Sequence, residues 1–297
     1  MGLFEDIERE NIDVLRDEPM KRHTSFKIGG PAKVYARPES VVQLKNLITL
    51  AKRWNTEYFV TGRGTNLLVG DKGIDKLVIS TERMADVRRD EGRIVCGCGA
   101  GLTNVAVYAA NEGLAGLEFA YGIPGSVGGA VVMNAGAYGG QMADVLRYVT
   151  VMDASGEVKR LEAGALEMGY RSSNVLSNGW TVLMAELELN ECSGETIWEK
   201  MEQLMSARRL KQPLEYPSAG STFKRPEGDF AGRLIEEAGL KGERVNDACV
   251  SEKHAGFIVN LGNAKASDVV ELIDRVCERV YARYGVELEP EIKFEGI

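Results

Sequence analysis

A mixed α+β fold of two or three domains is what this 297-residue sequence predicts. Three observations lead there. Runs of strand-forming residues stand beside separate amphipathic helices, with no repeating βαβ unit. The composition shifts near Ser193–Glu195, where the last of three regions, 1–80, 81–194 and 195–297, begins. Glycine gathers at Gly62–Gly64 and again in "GIPGSVGGAVVMNAGAYGG", Gly122 to Gly140, among mostly apolar neighbours. A linker would mix its glycines with polar residues, and a strand would use few of them.

The first region opens with a helix. Ser40 with Gln43 forms a capping box, and Val41, Leu44, Leu47, Ile48 and Ala51 recur at helical spacing, a core-packing face. "EYFVTGRGTNLLVG" then predicts a short strand, a glycine turn and a second strand, and "KLVIST" another strand. Near the start of the second region "GRIVCGCGAG" predicts a strand entering a glycine-rich turn, followed by a helix from about Asn104 to Glu112 stopped by Gly113. "RYVTVMDASGEVKRL", with a turn at Ala154–Glu157, and "WTVLMAELEL" supply further strands. A helix from about Thr196 to Leu210 leads into the third region. There Asp229 is expected to cap a helix ended by Gly239, and "HAGFIVN" to form a strand. Ser267 is expected to cap a long helix with Val269, Leu272, Ile273, Val276 and Val280 on one face, stopped at Gly285.

Composition excludes several functions. Apolar and charged fractions of 44% and 27% are those of an ordinary globular protein. A formal charge of −8 and a pI near 5.1 argue against a general nucleic-acid binder. No apolar run is long enough to span a bilayer, and "MGLFEDIERE" is acidic where a signal peptide is basic. Asp6 occupies the position where myristoylation needs Ser or Thr. Five scattered cysteines and no export signal predict a reducing cytoplasm. Only His23 and His254 are available as imidazoles, and Cys96-x-Cys98 is one residue too tight for a metal clip, so no metal site is predicted. Nothing implies an obligate protein partner or a membrane.

Gly62-Arg63-Gly64-Thr65-Asn66-Leu67 begins like a Rossmann fingerprint, but Leu67 replaces the third glycine and no helix can follow. Its chemistry still suits phosphate, through an anion-binding nest of backbone N–H groups with Thr65 and Asn66 as further donors. Gly122, Gly125, Gly128 and Gly129 remove side chains along one line, and Pro124 stiffens the turn beside Ser126. Such glycines permit close approach of a ligand or close packing of two strands. Two separate glycine loops, each after a strand, suit a dinucleotide better than a single phosphate. The strip Arg208, Arg209, Lys211, Lys224 and Arg225 reverses the overall charge and forms a landing site for a diphosphate. Alternatively, its first three cations simply solvate a helix end.

"TGRGTNLLV", "GIPGSVGGAVVMNAGAYG", "GYRSS", "AGSTFKRP" and the terminal "PEI" occur here in the order found in the UDP-N-acetylenolpyruvoylglucosamine reductase family. The resemblance runs from His23 to Glu291. The first two motifs are shared with flavoproteins of the vanillyl-alcohol-oxidase (PCMH) type, whereas "YRSS", "GSTFKRP" and "PEI" together are specific to the reductase.

The resemblance implies a two-lobed FAD-binding domain of that type, 1–80 and 81–194, plus a C-terminal α+β substrate-binding domain, 195–297. It implies non-covalent FAD on Gly62, Arg63, Gly64, Thr65, Asn66 and Leu67, and on Gly122, Pro124, Gly125, Ser126, Gly128 and Gly129. It also implies NADPH as electron donor and a UDP-sugar enol ether as substrate. Arg171, Ser221 and Glu291 carry over as catalytic, and Tyr170, Lys211, Lys224 and Arg225 as substrate contacts. Only fifty residues separate Arg171 from Ser221, too few for the extra segment whose tyrosine closes over substrate in long forms. The chain therefore resembles the short form, with Arg225 where the long form has Asn. Two rivals share the motifs: an oxidase on the same fold, and a non-catalytic nucleotide-sugar binder.

Overall fold

The computed structural model describes residues 2–297, which divide into two compact units. The first comprises the residues up to Leu15, Val34–Arg63 and Lys76–Arg208; the second comprises Arg16–Lys33, Gly64–Asp75 and Arg209–Ile297.

In the first unit the helix Val41–Arg53 starts where Ser40 Oγ accepts the Gln43 N–H at 3.2 Å, and buries Leu44, Leu47, Ile48 and Ala51. The Gln43 side chain reaches the Glu39 N–H instead of closing the box on Ser40. Strand Tyr58–Thr61 pairs in parallel with Leu77–Ser80. A five-stranded antiparallel sheet runs in the order Val158–Glu162, Leu146–Met152, Thr181–Glu188, Arg93–Gly97, Val87–Asp90. The turn between its first two strands forms where Asp153 Oδ1 accepts from the N–H groups of Ser155 and Glu157. Helix Leu102–Asn111 packs Leu102, Val105, Ala106 and Ala109 into the core and stops before Gly113, whose φ is 68°. The glycine-rich stretch contains a six-residue helix, Val127–Val132, which the sequence does not announce.

The second unit is built on helix Ala266–Tyr284, whose buried Val269, Leu272, Ile273, Val276 and Val280 pack with Leu234, Ile235, Val250 and Ile258. A three-stranded antiparallel sheet orders Arg244–Val245, Ala248–Val250 and Ile258–Asn260. Strand Lys293–Glu295 pairs in parallel with Leu67–Val69. Two expected caps are corrected. Asp229 lies one residue before the N-cap Phe230, accepting from the Phe230 N–H and pairing with Arg233. Ser267 sits inside its helix. Asp71, distant in sequence, accepts the N–H groups of Ala266 and Ser267 at 2.8 and 3.1 Å, and Asp268 accepts that of Lys265. Among the described residues no helix is long and apolar enough to cross a membrane, and no group of His, Cys, Asp and Glu could hold a metal.

Candidate active site

Three glycine-bearing turns of the first unit converge. Gly62 follows strand Tyr58–Thr61, and a Cβ there would land on Ser126 Oγ. Gly101 bridges Ser126, and the Leu102 N–H donates to Gly125 O at 2.9 Å. The N–H groups of Val127 and Gly128 donate to Ala100 O and Cys98 O at 2.9 and 2.8 Å. Gly128 lies so close that an added Cβ would meet Cys98 Cβ at 3.0 Å. Ser126 caps the short helix through the Gly129 N–H. Of the two uses open to these glycines, chain-on-chain packing accounts for Gly62 and Gly128, while Pro124 and Gly129 remain exposed.

Beside this convergence is a cavity of about 290 Å³ lined by Arg63, Glu82, Gly99, Ala100, Gly101 and Asn104, with Ala85 and Val87. A side chain at Gly101 would strike the Arg63 guanidinium, and one at Gly99 would strike Thr81 O. Bare backbone, one cation, one carboxylate and an amide over a small apolar wall suit part of a dinucleotide: the cation its diphosphate, the carboxylate a ribose hydroxyl. The residues present therefore fit FAD. The 99–101 turn was legible in "GCGAG", but the sequence reading assigned it no ligand. Cys96 and Cys98, the thiols nearest these loops in sequence, are both 1% exposed, and burial pushes them up to about 12 and about 11. They are held as unreactive thiols.

The remaining members of the first fingerprint belong to the second unit. Gly64 has φ +60°, where a side chain would strike His23 O, so only glycine fits there. Asn66 Nδ2 donates to Glu291 O at 3.1 Å, and Asn66 O accepts from the Lys293 N–H at 3.0 Å. Leu67 is buried in register with Lys293. Thr65 is half-buried between them.

Tyr170 and Arg171 form the tip of a tight turn whose ends, Gly169 and Ser172, exchange hydrogen bonds at 3.0 and 3.3 Å. Arg171 has φ 52°, a left-handed conformation costing a non-glycine residue about 1–2 kcal/mol. Lys27, Glu91 and Glu167 share such a backbone, so at Arg171 the strain supports a functional role only together with its place in the turn. Its guanidinium carbon lies 5.7 Å from the Tyr170 ring centroid, and Tyr170 is exposed.

Ser221 and Glu291 come together through Thr222. Thr222 is fully buried: its N–H donates to Gly256 O, its Oγ1 accepts from the Ile258 N–H, and its O accepts from the Glu291 N–H at 2.8 Å. Lys224 N donates to Glu289 O, and Phe223 bridges Pro290. Ser221 thus rides, exposed, on a short extended segment clamped to the one carrying Glu291. The Glu291 backbone is held at its N–H by Thr222 and at its carbonyl by Asn66.

The cations separate. Lys224 Nζ pairs with Glu289, and the Arg225 guanidinium carbon lies 4.4 Å above the Phe230 ring. Lys211 is exposed at the end of helix Gly194–Lys211. Arg208, on the same helix, is only 6% exposed, so solvation of a helix end does not explain it. Its guanidinium lies 5.5 Å from the Tyr138 ring, and its Cδ and Nε would be 3.2 Å from a Cβ at Gly122. Burial lowers its pKa and Tyr138 opposes that. Of the two readings open to Arg208 in the charge strip, a buried cation against the glycine loop favours the ligand site over the solvated helix end.

Residues 32–162 match the model of an FAD-binding domain, and residues 212–295 that of the UDP-N-acetylenolpyruvoylglucosamine reductase C-terminal domain. The chain is 47% identical to the UDP-N-acetylenolpyruvoylglucosamine reductase of Clostridium tetani over 295 residues, 99% of this chain and 95% of that protein. It is 52% identical to the enzyme of that name from Agathobacter rectalis, over 96% and 95% of the two chains. The crystal structure of UDP-N-acetylenolpyruvylglucosamine reductase from Thermus caldophilus superposes with a TM-score of 0.82 at 38% identity, covering 96% of this chain and 98% of that one. With an FAD-binding domain, the family's C-terminal domain and near full-length identity to its members, this chain belongs to the UDP-N-acetylenolpyruvoylglucosamine reductase family.

Proposed function

We propose that the protein reduces UDP-N-acetyl-3-O-(1-carboxyvinyl)-glucosamine to UDP-N-acetylmuramate, a step in peptidoglycan precursor synthesis, with NADPH as electron donor. The observation that carries this is the clamped pair of segments bearing Ser221 and Glu291, inside the region matching the family's C-terminal domain. FAD, held by the glycine loops and the cavity beside Arg63, would supply the hydride chemistry that links NADPH to C3 of the enolpyruvyl ether. The chain's own residues manage the charge that results. As C3 gains hydride, negative charge develops from C2 onto the substrate carboxylate, and the Arg171 guanidinium stabilises it. Ser221 gives its hydroxyl proton to C2, which completes the addition of two hydrogens across the double bond. Glu291 orients the carboxylate, with Tyr170, Lys211, Lys224 and Arg225 holding the rest of the UDP-sugar.

FAD is assigned to the two lobes 1–80 and 81–194, and substrate to 195–297. Gly62–Leu67 and Gly122–Gly129, together with the cavity beside Arg63, support the first assignment. The buried, protonated Cys96 and Cys98 support a non-covalent flavin over the covalent flavin of an oxidase. Five free cysteines are consistent with a reducing cytoplasm.

Stopped-flow absorbance of the flavin separates the two half-reactions and tests the assignment. Ser221→Ala is expected to be reduced by NADPH at the wild-type rate but reoxidised by the enolpyruvyl sugar about 10²–10⁴-fold more slowly. Equal slowing of both halves would remove Ser221 as proton donor.

A further inference from the structure

Asn134 lies in "MNAGAYG", a stretch for which the reaction has so far given no use. It is 2% exposed and follows helix Val127–Val132, with its own backbone left-handed at φ 41°. Its amide orientation is settled by its neighbours. Oδ1 accepts the Ala143 N–H at 2.9 Å, so Nδ2 is the atom facing Gln141 Oε1 at 3.1 Å and Gly169 O at 2.9 Å. Gln141 is in turn fixed by Asp144, whose carboxylate accepts from its N–H and its amide at 2.9 and 3.2 Å. Gly169 is the first residue of the turn that carries Arg171. Its carbonyl therefore takes two hydrogen bonds, one closing the turn from the Ser172 N–H and one from Asn134. Ser173, just beyond, donates Oγ–H to Val132 O at 2.7 Å. Both ends of the turn are thus tied to the segment that ends the short helix of the glycine loop.

From this geometry we propose that Asn134 is the positioning residue for Arg171. It pins the Gly169 carbonyl and so holds the strained left-handed turn that aims the guanidinium. The physical reason is that a left-handed arginine relaxes unless its surroundings over-determine it. A two-residue turn closed only by its own pair of hydrogen bonds does not supply that. A buried amide with acceptor and donor both fixed does. The inference rests on the catalytic reading of Arg171, which the test separates from it.

Asn134→Asp tests it. Aspartate tolerates the left-handed backbone and still accepts from the Ala143 N–H, but sets a carboxylate oxygen against Gly169 O in place of a donor. Reduction of the bound flavin by NADPH should proceed at the wild-type rate. Reoxidation by the enolpyruvyl sugar should slow by about tenfold to a hundredfold, the loss expected when a group shifts by about an ångström. Amide exchange in the flavin-free protein should quicken across 169–172 alone. In Asn134→Asp/Arg171→Ala, reoxidation should be no slower than in Arg171→Ala, because Asn134 acts only through the arginine. Slow Arg171→Ala beside wild-type-rate Asn134→Asp, or losses that multiply in the double variant, would overturn the positioning role. Wild-type-rate reoxidation in Arg171→Ala would instead overturn the catalytic reading of that residue. Should Asn134→Asp not fold, Asn134→Gly removes the same donor while keeping the backbone angle, and the same outcomes apply.

Discussion

Arg225 stands on the face of Phe230, a contact of 4.4 Å that leaves the guanidinium pre-oriented and the ring half-exposed. A cation stacked this way stays available for a diphosphate, because its N–H groups lie in the plane of the guanidinium, away from the ring. Arg225→Ala is therefore expected to raise KM for the UDP-sugar more than it lowers kcat. The rise corresponds to about 1.5–3 kcal/mol, roughly 10- to 150-fold, if one charge-assisted contact is lost. Steady-state kinetics at saturating NADPH checks this, and an unchanged KM would take Arg225 out of the diphosphate site. Lys224 differs from it. Its ammonium already pairs with Glu289, so a diphosphate placed there would have to compete with a partner from its own chain. At this scale residue type was legible and environment was not. Arg208 and Arg209 are neighbours in sequence, yet one is buried against Gly122 and the other is exposed.

Helix Ala266–Tyr284 shows the same limit one level up. Its apolar face and its end at Gly285 follow from periodicity and the left-handed cap at φ 67°. Its start does not, because the acceptor for its first free N–H groups is Asp71, 195 residues earlier. Burial raises the Asp71 carboxyl pKa, but the backbone N–H groups of Ala266 and Ser267 outweigh it, and the net pKa is lowered. Losing such a cap costs about 0.5–2 kcal/mol, so Asp71→Ala should lower Tm measurably. The pH dependence has a definite sign. With the folded pKa below the unfolded value of about 3.9, the stabilisation is complete at neutral pH and is lost as pH falls through the folded pKa. The gap in Tm between wild type and Asp71→Ala should stay constant from about pH 7 to pH 5, then narrow below about pH 4. A gap that widened on acidification would contradict the cap.

For the molecule as a whole, FAD is the ligand whose binding should dominate stability. Anything bound to the folded chain alone stabilises it by mass action, about 2.7 kcal/mol at a hundredfold excess over Kd. The purified protein should be yellow, lose its colour to the filtrate after denaturation, and show a Tm that rises with added FAD. A chain that stays colourless and whose Tm ignores FAD would overturn the cofactor assignment.

Sequence alone determined the α+β class, most element positions and the pair of glycine loops. Those depend on local spacing: apolar residues at helical or alternating intervals, and glycines where a side chain has no room. Tertiary structure decided what each glycine is for, which acceptor starts the long helix, and what holds the turn under Arg171. Gly128 packs on Cys98, Asp71 reaches Ala266, and Asn134 reaches Gly169. Each of these joins residues at least thirty positions apart. No local pattern can encode such a pairing, since it exists only once the backbone between the two partners has folded.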